Sequence, residues 1–374
     1  MIVPGFCGGS NTLASINVDS ERTINWYPES SRPGVGKADP WLAPVPGLEP
    51  FTVLSSGPVR ALFSQDGRAF AVGGTGFYEV FPNHTNTLRG RVALNSQPAT
   101  ICSNGSGGFQ LFITSGGYGY IYDLSTDTLT QISDPEFPYP CTMGAYIDGY
   151  FVALKGSSNT FQWSALEDGL TWSGLDIAQP NQTSDNTLAM VAVHGQLWFL
   201  GSKASSVWAD TGSTATFEPV AGSLMQQGTF AACSPWVGDN ALFWVGGNDQ
   251  GHAVVFRGTG VGAVPQRIST FAVEKALNDA PRLQDCIGWG YQENGHTFYC
   301  LLVPSLDTTW TFDVAMNTWH ERAVWDTVSM RWLPDVARCH TFTFGQHLVG
   351  DRQSNAIYRQ DVRLATCEVV EMGA

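Results

Sequence analysis

Four carboxylates, Glu167, Asp168, Asp176 and Asp185, fall in and just after the stretch ALEDGLTW (165–172), and they are this chain's first candidates for chemistry. Two carboxyls about 5 Å apart would serve a retaining glycosidase, one as nucleophile and the other as acid and base. The simpler use of Asp and Glu beside Gly is as solvated turn residues. His340 and His347 stand seven positions apart in what reads as a hairpin, where structural roles outweigh metal binding. The glycine-rich run GTGVGAVP (258–265) leads into no Rossmann helix with a G-x-G-x-x-G fingerprint, so it reads as a loop.

The rest of the catalytic vocabulary is missing. No G-x-S-x-G nucleophile elbow, H-E-x-x-H zinc motif, P-loop or D-x-D-x-D-G calcium loop occurs. The eight cysteines (7, 102, 141, 233, 286, 300, 339 and 367) form no C-x-x-C pair and no cluster with zinc-ligand spacing. Most lie in apolar runs such as YCLL and are expected to be buried, reduced thiols. No catalytic, cofactor-binding or metal-binding residue is therefore assigned, no cofactor is expected, and the chain is expected not to be an enzyme.

ALEDGLTW itself resembles S-x-D-x-G-x-T-W, the hairpin signature of sialidase-like propellers. Ala165 and Glu167 depart from it, while Gly169, Thr171 and Trp172 match. In those propellers the box is structural, its Trp packing between strands, so it speaks for fold and not for catalysis. A sialidase also needs clustered arginines, and none occurs between Arg91 and Arg257.

The elements around this box repeat. A short apolar strand, a Gly/Asp/Asn turn and an aromatic-rich strand recur as LFSQDGRAFAVGG, TICSNGSGGFQLFITSGG, AYIDGYFVAL, VAVHGQLWFLG, PWVGDNALFWVGG, GYQENGHTFYCLL and FTFGQHLVGD. The copies begin at roughly 40- to 56-residue intervals, and each is followed by a further strand, a polar turn and usually another strand. Four strands per copy make a propeller blade, which must stack on neighbours to bury both faces. The fold class is all-β, a β-propeller of seven blades, with six and eight as the neighbouring counts. The seventh copy stops after three strands near Val362, and GLEPFTVL (47–54) is expected to supply the missing strand and close the ring. Residues 1–40 read as an N-terminal arm, 41–365 as the propeller and 366–374 as the start of a further β domain. Within the propeller, STFAVEKALNDAPRL predicts one short helix with Phe271, Val273, Ala276 and Leu277 as its apolar positions.

Composition agrees with a turn-dense β protein: 14% charged residues, 41 Gly, 12% aromatics and only four Lys. The net charge of −14 opposes phosphate backbones, so no direct grip on nucleic acid is expected. The N-terminus MIVPGFCGGS reads as no secretory signal, and no apolar run reaches the roughly 18 residues of a membrane helix, so no membrane is expected as a partner.

Four segments carry a resemblance to a known family. SSVWADTGSTATFEPVAGSLMQQGTFAACSP followed by GTGVGAVPQRISTFAVEKAL resembles the packaged-DNA stabilisation proteins of short-tailed phages, also called tail accessory factors or tail hub proteins. ERTINWYPE with APVPGLEPF, and FQWSALEDGLTWSGLD, are similar to the same family, and their order agrees over most of residues 20–365. The resemblance implies a structural protein of the virion tail, made in the bacterial host cytoplasm. It implies a hexameric ring, a homo-oligomer lying below the portal and its adaptor, that closes the DNA channel after packaging. It further implies a seat for a tail needle, tail fibres or a tailspike. Members usually continue into another β domain, which would make this chain a truncated form or a short relative. An acidic channel lining would let DNA slide past on ejection. Two other readings stay open: a glycan-binding or glycosidase-like tail propeller, with paired carboxylates and aromatics at the axis, and a kelch-like interaction propeller, suggested by WTFDVAMNTWHE (310–321).

Overall fold

The dipeptides at the repeated turns set the local geometry. Asp66-Gly67, Asp148-Gly149, His194-Gly195, Asp239-Asn240, Asn294-Gly295 and Phe344-Gly345 all have positive φ at both residues. Such turns match the twist of antiparallel strands, and Gly, Asn and Asp adopt them at least cost. In a computed structural model, which describes residues 7–12, 20–30, 41–180, 185–213, 215–247, 251–260 and 264–364, these turns join the first two strands of successive antiparallel sheets.

Seven sheets follow one another as blades 1 to 7. Their first strands are Val59–Gln65, Thr100–Ser103, Cys141–Ile147, Thr187–Val193, Trp236–Gly238, Ile287–Glu293 and Ala337–Thr343. Blade 7 has three strands of its own and takes Gly47–Val53 as the fourth, antiparallel to Ala356–Asp361, with Val53 opposite Ala356 and Gly47 opposite Asp361. The expected closure is thus the observed one. Segment 366–374 lies outside the described residues.

Among the described residues the core is divided into seven clusters, each shared by two adjacent blades. Between blades 1 and 2, for example, Phe70 and Phe77 pack on Tyr122. Between blades 7 and 1, Phe51 of the closing strand and Ile357 meet Val59 and Tyr78. Each fully buried aromatic or aliphatic side chain contributes about 1.5–3 kcal/mol. Close approach of neighbouring blades needs glycine in places: a Cβ on Gly288 would collide with the Ser234 carbonyl.

Two features differ from the sequence reading. Blade 6 has a fifth strand, Arg331–Pro334, paired with the far half of Thr318–Asp326, and its Trp332 meets Trp325 edge-on at 5.2 Å. The helix forms at Phe271–Asp279, but it buries Ala272, Val273 and Leu277 and leaves Phe271 54% exposed. Its inward stripe runs through 272, 273, 276 and 277, which turns position 271 toward solvent.

Closure predicts a specific cost. Phe51→Ala, in a strand from the far end of the chain, should destabilise the protein by about 3–5 kcal/mol in urea unfolding, as for a core blade residue. A loss below about 1 kcal/mol would mean that the closing strand is not part of the cooperative unit.

Candidate functional site

The four carboxylates do not converge. Glu167 takes a left-handed turn conformation and accepts from Tyr146 Oη at 2.7 Å. Asp168 caps its own turn, accepting from Leu170 N and Thr171 Oγ1. Asp185 ties down residues 202–204 through the Ser202 hydroxyl and the Lys203 and Ala204 amides. Asp176 is partly buried, which pushes its pKa up. Trp172 is buried against Phe112 and Phe137, its Nε1 donating to Gly169 O at 2.9 Å. ALEDGLTW is therefore a packed blade hairpin.

A cavity of about 640 Å³ opens on the propeller axis. It lies at the end where the first strands begin, since its lining includes Arg60–Leu62, Thr100, Cys141–Met143, Thr187, Ile287–Gly290 and Arg338–His340. Its size suits a small molecule. No Asp or Glu is among its lining residues, which disagrees with the paired carboxylates that a glycosidase would place here.

Two arginines missed in the sequence stand at this end. Arg60 is 1% exposed and Arg338 6%. Pairing slips by one residue between Val59 and Ala61, and again between Ala337 and Cys339. Each slip is a β-bulge that re-aims the residue inside it. Arg60 donates only to neutral acceptors: Gln97 O, Gly74 O, Ala93 O and Ser115 Oγ. Arg338 Nε donates to Val59 O at 2.6 Å, while its Nη2 is buried with no acceptor. Burial, then Arg338, pulls the Arg60 pKa down to about 10, and burial lowers that of Arg338. The one available signal was a lone Arg near the start of each strand, in PVRALF and VARCHT.

His340 and His347 do meet, Nε2 to Nδ1 at 2.9 Å, yet among the described residues no group of three His, Cys, Asp or Glu could hold a metal. Burial drives the His340 pKa down to about 3. The described cysteines are all free thiols; Cys141, Cys286 and Cys300 are buried, while Cys7, Cys102, Cys233 and Cys339 are only partly so, and Cys367 lies outside the described residues.

A second cluster fastens the N-terminal arm to blade 6. Glu321 N donates to Thr23 O, Asn25 exchanges two hydrogen bonds with Ala323, and Arg22 pairs with Glu321 at 2.7 Å. His296 sits between Asp313 and Glu29, at 2.8 Å from each, beneath Tyr27. Burial disfavours the charged imidazole, but the two carboxylates outweigh it and hold its pKa above the ordinary value.

The family described as bacteriophage P22 Gp10, beta-propeller, matches residues 20–364, which takes in the second half of the arm and all seven blades. The chain belongs to this family. It is a phage structural protein built on a β-propeller, and so a virion component. No curated protein matches it in sequence. Solved structures share its fold alone. Virginiamycin B lyase from Staphylococcus aureus is 8% identical, over 84% of this chain and 98% of that one, with a TM-score of 0.56. The mitotic checkpoint complex gives 12% identity, 89% and 95% coverage, and 0.51. PorZ, a surface component of the type-IX secretion system of Porphyromonas gingivalis, gives 8%, 87% and 40%, and 0.50.

In this Gp10-family chain the clasp should depend on pH. A histidine whose folded pKa is raised contributes fully below its unfolded value, about 6.5, and loses that contribution as pH climbs through the folded value. Protection of the amides at residues 24–29, with exchange rates divided by their intrinsic rates at each pH, should therefore be greatest at about pH 6 and below and should fall as pH rises above it. His296→Gln should weaken the arm by about 1–2 kcal/mol at pH 6 and flatten the trend. His320 and His340 have lowered pKa values and act oppositely, losing stability as pH falls, so the difference between wild type and variant is the quantity to read. Identical pH profiles for the two proteins would refute the bridge.

Proposed function

We propose that this protein is a tail hub of a short-tailed phage. In this reading it assembles as a hexameric ring below the portal and its adaptor and closes the DNA channel once packaging ends. It then retains the genome and seats a tail needle, fibres or a tailspike. The observation that carries the reading is the family match over residues 20–364.

Physical features support it. A closed ring of blades is a stiff body with several faces, which suits a docking platform more than a catalyst. A protein of net charge −14 repels DNA, so retention works by blocking the channel and not by gripping phosphates. The expected acidic lining does not apply to the propeller's own axis, where two arginines stand in a cavity too small for a duplex. The DNA path would run between subunits, through the hole of the ring. Ring contacts would be heterologous, head to tail, and the arm and the outer blade loops are the rim elements available for them. One such loop is the blade 6 hairpin, where Val328 and Met330 are 87% and 68% exposed.

Particles assembled without this protein should lose packaged DNA to added nuclease, and purified protein should restore protection. Native mass spectrometry of protein assembled on the adaptor should give six copies per ring. Heads that keep their DNA regardless would remove the channel-closing role.

A further inference from the structure

The axial cavity contains a charge imbalance that the fold does not explain. Two guanidinium groups are almost fully buried in adjacent blades, close enough that Arg338 depresses the Arg60 pKa. Neither has an ion-pair partner among the described residues, and no acidic side chain is among the cavity's lining residues. The carboxylate acting on Arg338 from a distance is Asp351, which is engaged by the Gln353 and Ser354 amides, the Ser354 hydroxyl and Tyr358. Buried charges in proteins are paired or ligated, because leaving one bare is costly.

The unmet side-chain nitrogens on this cavity's lining residues are both donors. Arg338 Nη2 and Trp289 Nε1, both on lining residues, are buried donors without acceptors, and the Thr187 hydroxyl is likewise unpartnered. The bulges add intent to the arrangement. The first strands of blades 1, 3, 4 and 7 each slip by one residue at the same place, and the slipped residues Arg60, Thr142, Leu188 and Arg338 all line the cavity. Part of the arginines' work is to staple blades, since Arg338 reaches Val59 O and Arg60 reaches the connector carbonyls of Ala93 and Gln97. A staple to carbonyls needs a donor, though, and not a buried charge.

We infer that the axial cavity is a binding site for a small oxyanion, a phosphate or a carboxylate-bearing molecule, held by Arg338 and Arg60. Arg338 has the unmet donor, Nη2, to offer, while Arg60, whose nitrogens already donate to Gln97 O, Gly74 O, Ala93 O and Ser115 Oγ, adds positive charge beside it; charge-assisted contacts of this kind serve phosphate and carboxylate alike, and a small molecule fits the cavity. Gln97 sits at its edge: its carbonyl accepts from Arg60, and its Oε1 lies 3.9 Å from Cys233 Sγ, in the connection that leads into blade 5.

The test is calorimetric titration of the full chain with sodium phosphate and, separately, with citrate, using glycerol as the neutral control. The wild type should bind at least one anion saturably, with a midpoint below about 10 mM, and glycerol not at all. Arg338→Gln should weaken binding at least ~10-fold, as loss of a charge-assisted contact does. Gln97→Glu places a carboxylate beside the guanidinium groups at an exposed loop position and should compete with the anion to a similar extent without removing an arginine. It therefore stands in if Arg338→Gln does not fold, which a thermal melt reports. Phosphate binding without citrate binding would assign an inorganic ion, and the reverse an organic acid; either supports the site. Absence of saturable uptake of both anions by the wild type, or wild-type affinity in both variants, would overturn it.

Discussion

The packing of one blade against the next is the interaction on which everything else in this molecule depends. Among the described residues each buried cluster belongs to a pair of neighbours, from Phe70 with Tyr122 to Trp198 with Trp244, and none is central. A blade with two apolar faces needs two neighbours, so a row of blades has ends that cannot be buried. Closing the row satisfies all of them at once, without a capping element at either end. That places a heavy demand on Gly47–Val53, which brings Phe51 into the cluster shared by blades 7 and 1. The chain before this strand must then leave from the rim, and its described part does so by lying along the outer side of blade 6.

Much of this was written in local sequence. The turn dipeptides, Asp66-Gly67 or Asn294-Gly295, need positive φ and so marked the hairpins, while the aromatic runs after them marked the second strands. Trp172 read correctly as a packing residue because the turn around it is a local device. The features that escaped are set by register and by partners far along the chain. A bulge at Arg60 or Arg338 depends on how two strands slip, and neither residue's own neighbours in sequence reveal that. The fifth strand of blade 6 and the clasp at His296 require knowing which segment lies opposite, as with Glu29 meeting a residue 267 positions away. Phe271 was misplaced for a smaller reason, a one-residue error in the phase of a short helix.

The repeat also explains why so many carboxylates produce no active site. The third strand ends in Asp in blades 2, 4, 6 and 7, at Asp123, Asp210, Asp313 and Asp361. In each case the side chain accepts the backbone N–H two residues on, from Ser125, Gly212, Ala315 and Arg363. This is the use of Asp that favours turns in general. A carboxylate spent on its own turn points along the rim and holds backbone, so acidity accumulates blade by blade without converging.

One of these four has acquired a second role, and the contrast shows how a repeat yields something specific. Asp123 and Asp361 are partly buried but keep contact with water, and their hydrogen bonds hold their pKa values down, to about 2 for Asp361 beside Arg363. Asp313 makes the same turn but is buried, which pushes its pKa the other way against the pull of His296. Its free oxygen faces His296, and the imidazole passes the contact on to Glu29 of the arm. Burial, not residue type, separates the two outcomes: Asp361 meets Arg363 at the surface, whereas Asp313 lies fully buried with the His296 imidazole beside it, so that removal of water opposes its charge while the imidazole favours it. The axis applies the same rule with the opposite sign, since the strands there bury guanidinium groups and bring no carboxylate to meet them.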